Sequence, residues 1–350
     1  MSQGSSHPIH HAYRQRQLQR QVALVVVSLL VVCSFLLDLM TGPAALTLRE
    51  IVRALFLLDP ASHSQQVIVW SFRLPTALMA IAVGASLGLA GGQMQTVLNN
   101  PLASPYTLGV SAAAGFGAAL VLVCGVGKTG LTSTMAIPAG AFVSACACSL
   151  FLFLVCRLRN GSTETLLVGG VALHFLFSSG LALLQYMATN DALNAIVFWT
   201  FGSLQGANWQ KMGILATVLS GTLIFILPHV WQLTALQLGD DYALSLGVDV
   251  DRLKLHTMLV VSILTATAVC FTGSIGFVGL VAPHLARMIV GEDQRFLILL
   301  STAMGALLVS AAAVLCKTLV PGTIFPIGIV TAAIGAPFFV VLAVWRRSTA

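Results

Sequence analysis

Charge is scarce in this chain: Asp, Glu, Lys and Arg make up only 8% of its 350 residues, hydrophobic residues make up 57%, and mean hydropathy is +0.94. A soluble domain carries about 25% charged residues, so a water-dissolved globule is excluded. Short alternating apolar segments are also missing, which excludes a transmembrane barrel and leaves an all-α integral membrane protein. No basic patch with interleaved aromatics is present, so the net charge of +6 points to orientation in a bilayer and not to nucleic acid. The seven cysteines lie in or at the ends of apolar runs without metal or redox spacing, and read as small buried hydrophobes. No H-E-x-x-H site, G-x-S-x-G elbow or paired intramembrane aspartates suited to hydrolysis occurs. "CGVGKT" (Cys124 to Thr129) imitates the end of a phosphate-binding loop, but Leu122 stands where the full pattern needs glycine. Any energy must come from another chain.

What is there is a series of apolar runs, each long enough to cross about 30 Å of hydrocarbon, which takes about 20 helical residues. They fall at about 22–39, 74–97, 108–126, 135–156, 166–187, 213–233, 257–272, 275–290, 296–316 and 327–345. Residues 257–290 are too long for one crossing, and "GSIGFVG" (Gly273 to Gly279) supplies the bend that divides them. Residues 1–21 read as a polar cytoplasmic tail, with His7, His10 and His11 in a disordered stretch, 22–345 as one transmembrane domain, and 346–350 as a second cytoplasmic tail. The first run lacks a cleavage site and contains Asp38, so it reads as a retained anchor. Ten spans put both termini on the same side, with eleven of the 17 basic residues there, as the positive-inside rule requires.

Few ionisable residues lie deep in a span, and those that do are His174, His284 and Arg287. A proton- or ion-coupled carrier would hold buried acids or histidines on its path, and His174 reads as facing a helix partner. The connection "LNNPLASPYTLG" (Leu98 to Gly109) has two asparagines and two prolines but no charge. The longest charged inside connection, "LGDDYALSLGVDVDRLKLH" (Leu238 to His256), reads as two small helices broken at Gly247, either a docking surface or a solvated loop. Between Ala188 and Lys211, Trp199 and Trp209 read as interfacial anchors.

Six motifs in one order carry a family resemblance: "FRLP" (Phe72 to Pro75), "GLAGGQMQTVLNNPLASPYTLGVSAAAGFGAAL" (Gly88 to Leu120), "FWTFGSLQGANW" (Phe198 to Trp209), "LGDDYALSLGV" (Leu238 to Val248), "GSIGFVGLVAPHLARMIVGEDQR" (Gly273 to Arg295) and "FPIGIVTAAIGAPFF" (Phe325 to Phe339). Together they resemble the permease subunits of bacterial type II ABC importers, which take up ferric siderophores, haem and vitamin B12. The resemblance implies a ten-helix bundle in the bacterial inner membrane, paired with a second copy or a close relative. It further implies two cytoplasmic ATPase subunits, which use ATP and Mg, an external binding protein, and no cofactor, metal or catalytic residue in this chain.

The same resemblance assigns residues. Asn100 and Leu102 match positions that narrow the cytoplasmic end of the path, and Thr163 and Glu164 match a second constriction, with Glu164 departing from a familiar small hydroxyl residue. The Leu238 to His256 connection matches the element that docks the ATPase, with Asp240, Asp241, Leu246, Gly247 and Arg252 as its candidate contacts. Arg73 matches an outer-rim cation that meets acidic groups of the binding protein, and Lys317 stands where Arg is usual. Thr76, Ala313 and Ile324 depart from familiar charged positions. The expected function is translocation of an iron chelate, first a ferric siderophore, then haem or cobalamin. A carrier or channel working alone, or an intramembrane enzyme, are the rival readings.

Overall fold

A computed structural model describes residues 7–42, 44, 46–56, 63–125, 133–158, 163–319 and 325–346, with the backbone alone at 7–13, 133–134, 156–158, 163–164 and 342–346. Among these residues there are thirteen helices and no strand. They are α1 (His7–Met40), α2 (Leu48–Leu55), α3 (His63–Val97), α4 (Val110–Cys124), α5 (Ser133–Leu158), α6 (Thr163–Met187), α7 (Asn190–Thr200), α8 (Trp209–Leu236), α9 (Asp240–Ser245), α10 (Val250–Thr272), α11 (Val278–Val290), α12 (Gln294–Thr318) and α13 (Ile327–Arg346). Seven are long and apolar enough to cross a membrane, and the shorter apolar α4, α11 and α13 bring the bundle to ten.

The centre of the bundle is α3, whose apolar stretch is largely buried. Its small residues let neighbouring backbones come close. A Cβ on Gly84 or Gly88 would overlap the carbonyl of Gly305 or Ser301 in α12, and one on Gly91 would overlap the carbonyl of Gly279 in α11. The break expected within 257–290 lies at Gly273 to Phe277, both with left-handed φ, +73° and +66°. There the ends of three elements are stitched together: Ser203 N–H donates to the Thr272 carbonyl at 2.7 Å, and Gly328 N–H donates to the Phe201 carbonyl at 3.0 Å.

Several boundaries differ from the sequence expectation, each for a local reason. The first span does not follow a disordered tail, because α1 is helical from His7. The second starts at His63 instead of 74, through a π-helical turn, Ile68–Arg73. Pro75 cannot donate to the carbonyl four residues back, and the widened turn accommodates that loss. The connection after α8 holds one short helix and not two, since the second proves to be the first turns of α10. Residues 188–211, the connection with the two tryptophans, contain α7, and the Trp209 indole N–H donates to the Trp70 carbonyl at 3.0 Å.

The first helix is fastened at three levels. Arg20 pairs with Asp293 at 2.8 Å, the Ser34 and Ser310 hydroxyls meet at 2.8 Å, and Asp38 pairs with Lys317 at 2.8 Å. Arg20, Arg287 and Arg295 mark one end of the bundle, the basic end, and Arg73 and Lys317 mark the other.

Candidate functional site

At the basic end, α3 stops in a Schellman motif. Asn99 takes the left-handed conformation, φ +44°, which Asn tolerates better than most residues. Its N–H donates to the Thr96 carbonyl at 3.2 Å, and the Asn100 N–H donates to the Gln95 carbonyl at 3.1 Å. The Asn100 side-chain oxygen then accepts from Leu102 N–H at 2.9 Å, and the Asn100 carbonyl accepts from Ala103 N–H at 3.1 Å, with Pro101 setting the turn between them. The uncharged Asn-Asn-Pro-Leu string is therefore a rigid, self-satisfied turn. It leaves the Leu102 side chain projecting, 62% exposed. Thr163 and Glu164 open α6, and their side chains lie outside the described residues.

Beside that turn lies a cleft of about 730 Å³, whose walls include Asn100, Gln237, Arg287 and Glu292. It leads to α9. Ala243, Val248, Val250 and Leu253 are buried and hold this element to the bundle, whereas Leu238, Tyr242, Leu244 and Leu246 are exposed. Asp240 and Lys254 are bridged at 2.6 Å, tying α9 to α10, and Asp249 caps α10 by accepting from Arg252 N–H at 3.1 Å. Gly247 has φ +80° with open space where a side chain would stand, so the break there is a conformational need and not a packing one. Asp240, Asp241, Leu246, Gly247 and Arg252 are thus gathered into one stretch of the basic end, and the clustered apolar groups are what a partner would cover.

At the opposite end the cations expected on an outer rim are turned inward. Arg73 is only 7% exposed, and its guanidinium donates to the carbonyls of Leu39, Met40 and Ala44. The Lys317 side chain is 10% exposed and pairs with Asp38, which is fully buried. Both cations still line a recess of about 460 Å³, together with Phe72, Thr76, Leu204 and Phe325. Asp38 is the residue that sequence reasoning passed over. A lone acid in an apolar run was the available signal, since an intramembrane charge needs a partner.

Of the three intramembrane candidates, His174 sits with its ring 6.3 Å from that of Tyr106, against the turn entering α4, as a helix-packing residue would. His284 has its ring 6.1 Å from that of Phe338. Arg287 is the one drawn into a polar chain: it donates to Glu292 at 2.9 Å and to Gln95 at 2.7 Å. Among the described residues no group of His, Cys, Asp and Glu is arranged to hold a metal ion.

Comparison with known proteins accounts for this arrangement. Residues 29–345 match the model of the FecCD transport family. The chain is 36% identical over 280 residues to the hemin transport system permease protein of Yersinia pestis, covering 80% of this chain and 84% of that one. It is 30% identical to an Fe(3+)-citrate import system permease protein of Bacillus subtilis, over 94% of this chain and 96% of that one. A metal-chelate type ABC transporter solved in an inward-facing conformation superposes with a TM-score of 0.80 at 31% identity, covering 93% of this chain and 99% of that one. The family match over residues 29–345 and the superposition along nearly the whole chain agree, and the chain belongs to the FecCD transport family of ABC permeases.

Proposed function

We propose that this chain is the membrane-spanning subunit of an ATP-driven importer that moves a ferric chelate inward across the bacterial inner membrane. It works as a pair with a second copy, on two cytoplasmic ATPase subunits that bind ATP and Mg, and below an external substrate-binding protein. The basic end faces the cytoplasm, as do both termini. The observation that carries this reading is the placement of the exposed Leu238, Tyr242, Leu244 and Leu246 surface beside the cleft that runs to the Asn100–Leu102 turn. A partner gripping α9 would have a short mechanical path to the place where the path narrows. Leu102, projecting from a rigid turn, closes the inner end by excluding water, with Thr163 and Glu164 as a second constriction. The Leu102 closure itself carries no charge and so neither traps nor repels a bulky chelate, whereas Glu164 places a carboxylate at the second constriction.

The external protein docks over the recess at the opposite end. Arg73 and Lys317 supply a positive field beneath that surface more than direct contacts, and such a field acts on encounter rate and orientation. No chemistry on the cargo occurs in this chain. An iron chelate is the reading taken for the cargo, since relatives named for ferric citrate and hemin match along most of their length, with cobalamin as the alternative because a relative named for vitamin B12 import matches to a similar extent.

The test is reconstitution of the chain with its ATPase subunits in vesicles, with uptake of radiolabelled ferric citrate, a ferric siderophore and hemin followed in the presence and absence of ATP. ATP-dependent accumulation of an iron chelate is expected. Uptake by vesicles holding this chain alone overturns the reading.

A further inference from the structure

The cleft at the basic end contains an unbroken line of side-chain hydrogen bonds that the fold does not need for its core. It starts at Gln237, three residues before α9. The Gln237 side-chain NH2 donates to one carboxylate oxygen of Glu292 at 2.8 Å. The same oxygen accepts from Arg287 Nε at 2.9 Å. The far side of the Arg287 guanidinium, Nη1, donates to Gln95 Oε1 at 2.7 Å. Gln95 is 2% exposed, and its backbone carbonyl accepts the Asn100 N–H that defines the gate turn. Four side chains therefore connect the end of α8 to the end of α3 through the α11–α12 corner.

Two properties suit this line to transmit movement. Arg presents a rigid planar fork, so a shift of Glu292 on one edge is passed to Gln95 on the other with little slack. Charge-assisted bonds are shorter and stronger than neutral ones, and the Arg287–Gln95 link, with Gln95 buried and Arg287 largely so, is strengthened further by withdrawal from water. A second bond reinforces the receiving end: Gln294, two residues beyond Glu292, donates through its side chain to Thr96 Oγ1 at 2.9 Å in the core, so the α11–α12 corner holds the end of α3 at two adjacent residues. When α9 moves, that corner carries the end of α3, and with it the Asn100–Leu102 turn.

We propose that Arg287, bridging Glu292 and Gln95, is the positioning residue that couples displacement of the docking element to the Leu102 turn. This rests on the coupling and gate roles proposed above. It adds the route between them.

The experiment uses the full transporter, with both ATPase subunits, reconstituted in nanodiscs. A reporter thiol is introduced as Leu102→Cys after replacing Cys33, Cys124, Cys146 and Cys156 with serine, leaving only the buried Cys148, Cys270 and Cys316. The rate of maleimide labelling is compared without nucleotide and with ATP and vanadate, and ATP hydrolysis is measured on the same preparations. With Arg287 intact, labelling is expected to change by about fivefold or more between the two states, as a coupled site should. Arg287→Gln is expected to shrink that change to under about twofold while ATPase co-purification and hydrolysis persist. A merely structural role would lower hydrolysis and labelling together. Arg287→Gln combined with Gln95→Leu should be no worse than either alone, because residues in one network are not additive.

A full labelling response in Arg287→Gln, or additive losses in the double variant, overturns the relay and leaves the function standing. No response with Arg287 intact overturns the coupling role itself. If Arg287→Gln loses its ATPase partner, the half-buried Gln237→Ala cuts the same line at its other end, and an undiminished response there sinks the proposal.

Discussion

Removing Asp38 leaves the Lys317 ammonium, 2.8 Å from its carboxylate, without a counter-ion in a site where the two side chains are 0% and 10% exposed. Breaking a buried pair by deleting one partner costs about 3–5 kcal/mol, because the survivor stays desolvated. The two deletions should differ. Lys317 keeps the Asp38 backbone carbonyl at 3.2 Å and has a four-carbon stem that can reach the recess beside it, so Asp38→Ala belongs at the low end, about 3 kcal/mol. The Asp38 carboxylate is short and wholly enclosed, so Lys317→Ala belongs at the high end, about 4–5 kcal/mol. Replacing both at once, Asp38→Leu with Lys317→Met, removes the buried charge and should return the chain to within about 1 kcal/mol of its starting stability. Denaturant titration of the purified chain in micelles, read by tryptophan fluorescence, gives the four free energies. The reasoning fails if Asp38→Ala costs less than about 0.5 kcal/mol, the size of an exposed pair. It fails equally if the double variant is no better than the worse single one.

Gly91→Ala should destabilise by about 1–3 kcal/mol, because its new Cβ meets the Gly279 backbone, which has no rotamer to move; an unchanged unfolding midpoint would show that α3 and α11 can part freely. Gly247→Arg should keep the bundle folded, since open space surrounds the position, yet strain the left-handed turn and abolish co-purification of the ATPase; retained co-purification removes Gly247 from the docking element. Arg73→Lys keeps the charge but cannot reach three carbonyls with one planar fork, so it should lower stability by about 1–2 kcal/mol while binding-protein association keeps its salt dependence. Loss of that salt dependence would instead make Arg73 a direct contact.

The ten crossings were legible because each rests on a run of apolar residues, a signal that no single neighbour can reverse. The Gly273–Phe277 break was legible for the same reason, since a run too long for one span must bend where glycines allow it. The inward turn of Arg73 and Lys317 was not legible, because a cation at the end of an apolar run looks alike whether it points to water or to enclosed carbonyls and carboxylates. The answer lay in Asp38, 35 residues from one and 279 from the other, and sequence spacing carries no information over such gaps. The coupling element was read as two helices because Gly247 is a real break, but nothing local says that the second helix continues into a span.

The two ends of the bundle are built on opposite principles, and this bears on how it could move. At one end Arg73 and Lys317 are committed to enclosed acceptors, so α1, α3 and α12 are held as a unit. At the other, Arg287 and Glu292 sit on the wall of an open cleft, with Glu292 mostly exposed and its bonds open to exchange with water. A bond that water can replace is cheap to remake in a second arrangement, whereas an enclosed one is not. Displacement driven from α9 should therefore be taken up at the basic end, with the glycine-packed α3–α12 pair as the fixed body against which the Leu102 turn shifts. Hydrogen exchange on the reconstituted transporter checks this directly: nucleotide should alter protection around residues 95–109 and 237–256 and leave residues 80–90 and 300–315 unchanged. Equal changes in both sets would mean that the whole bundle rearranges.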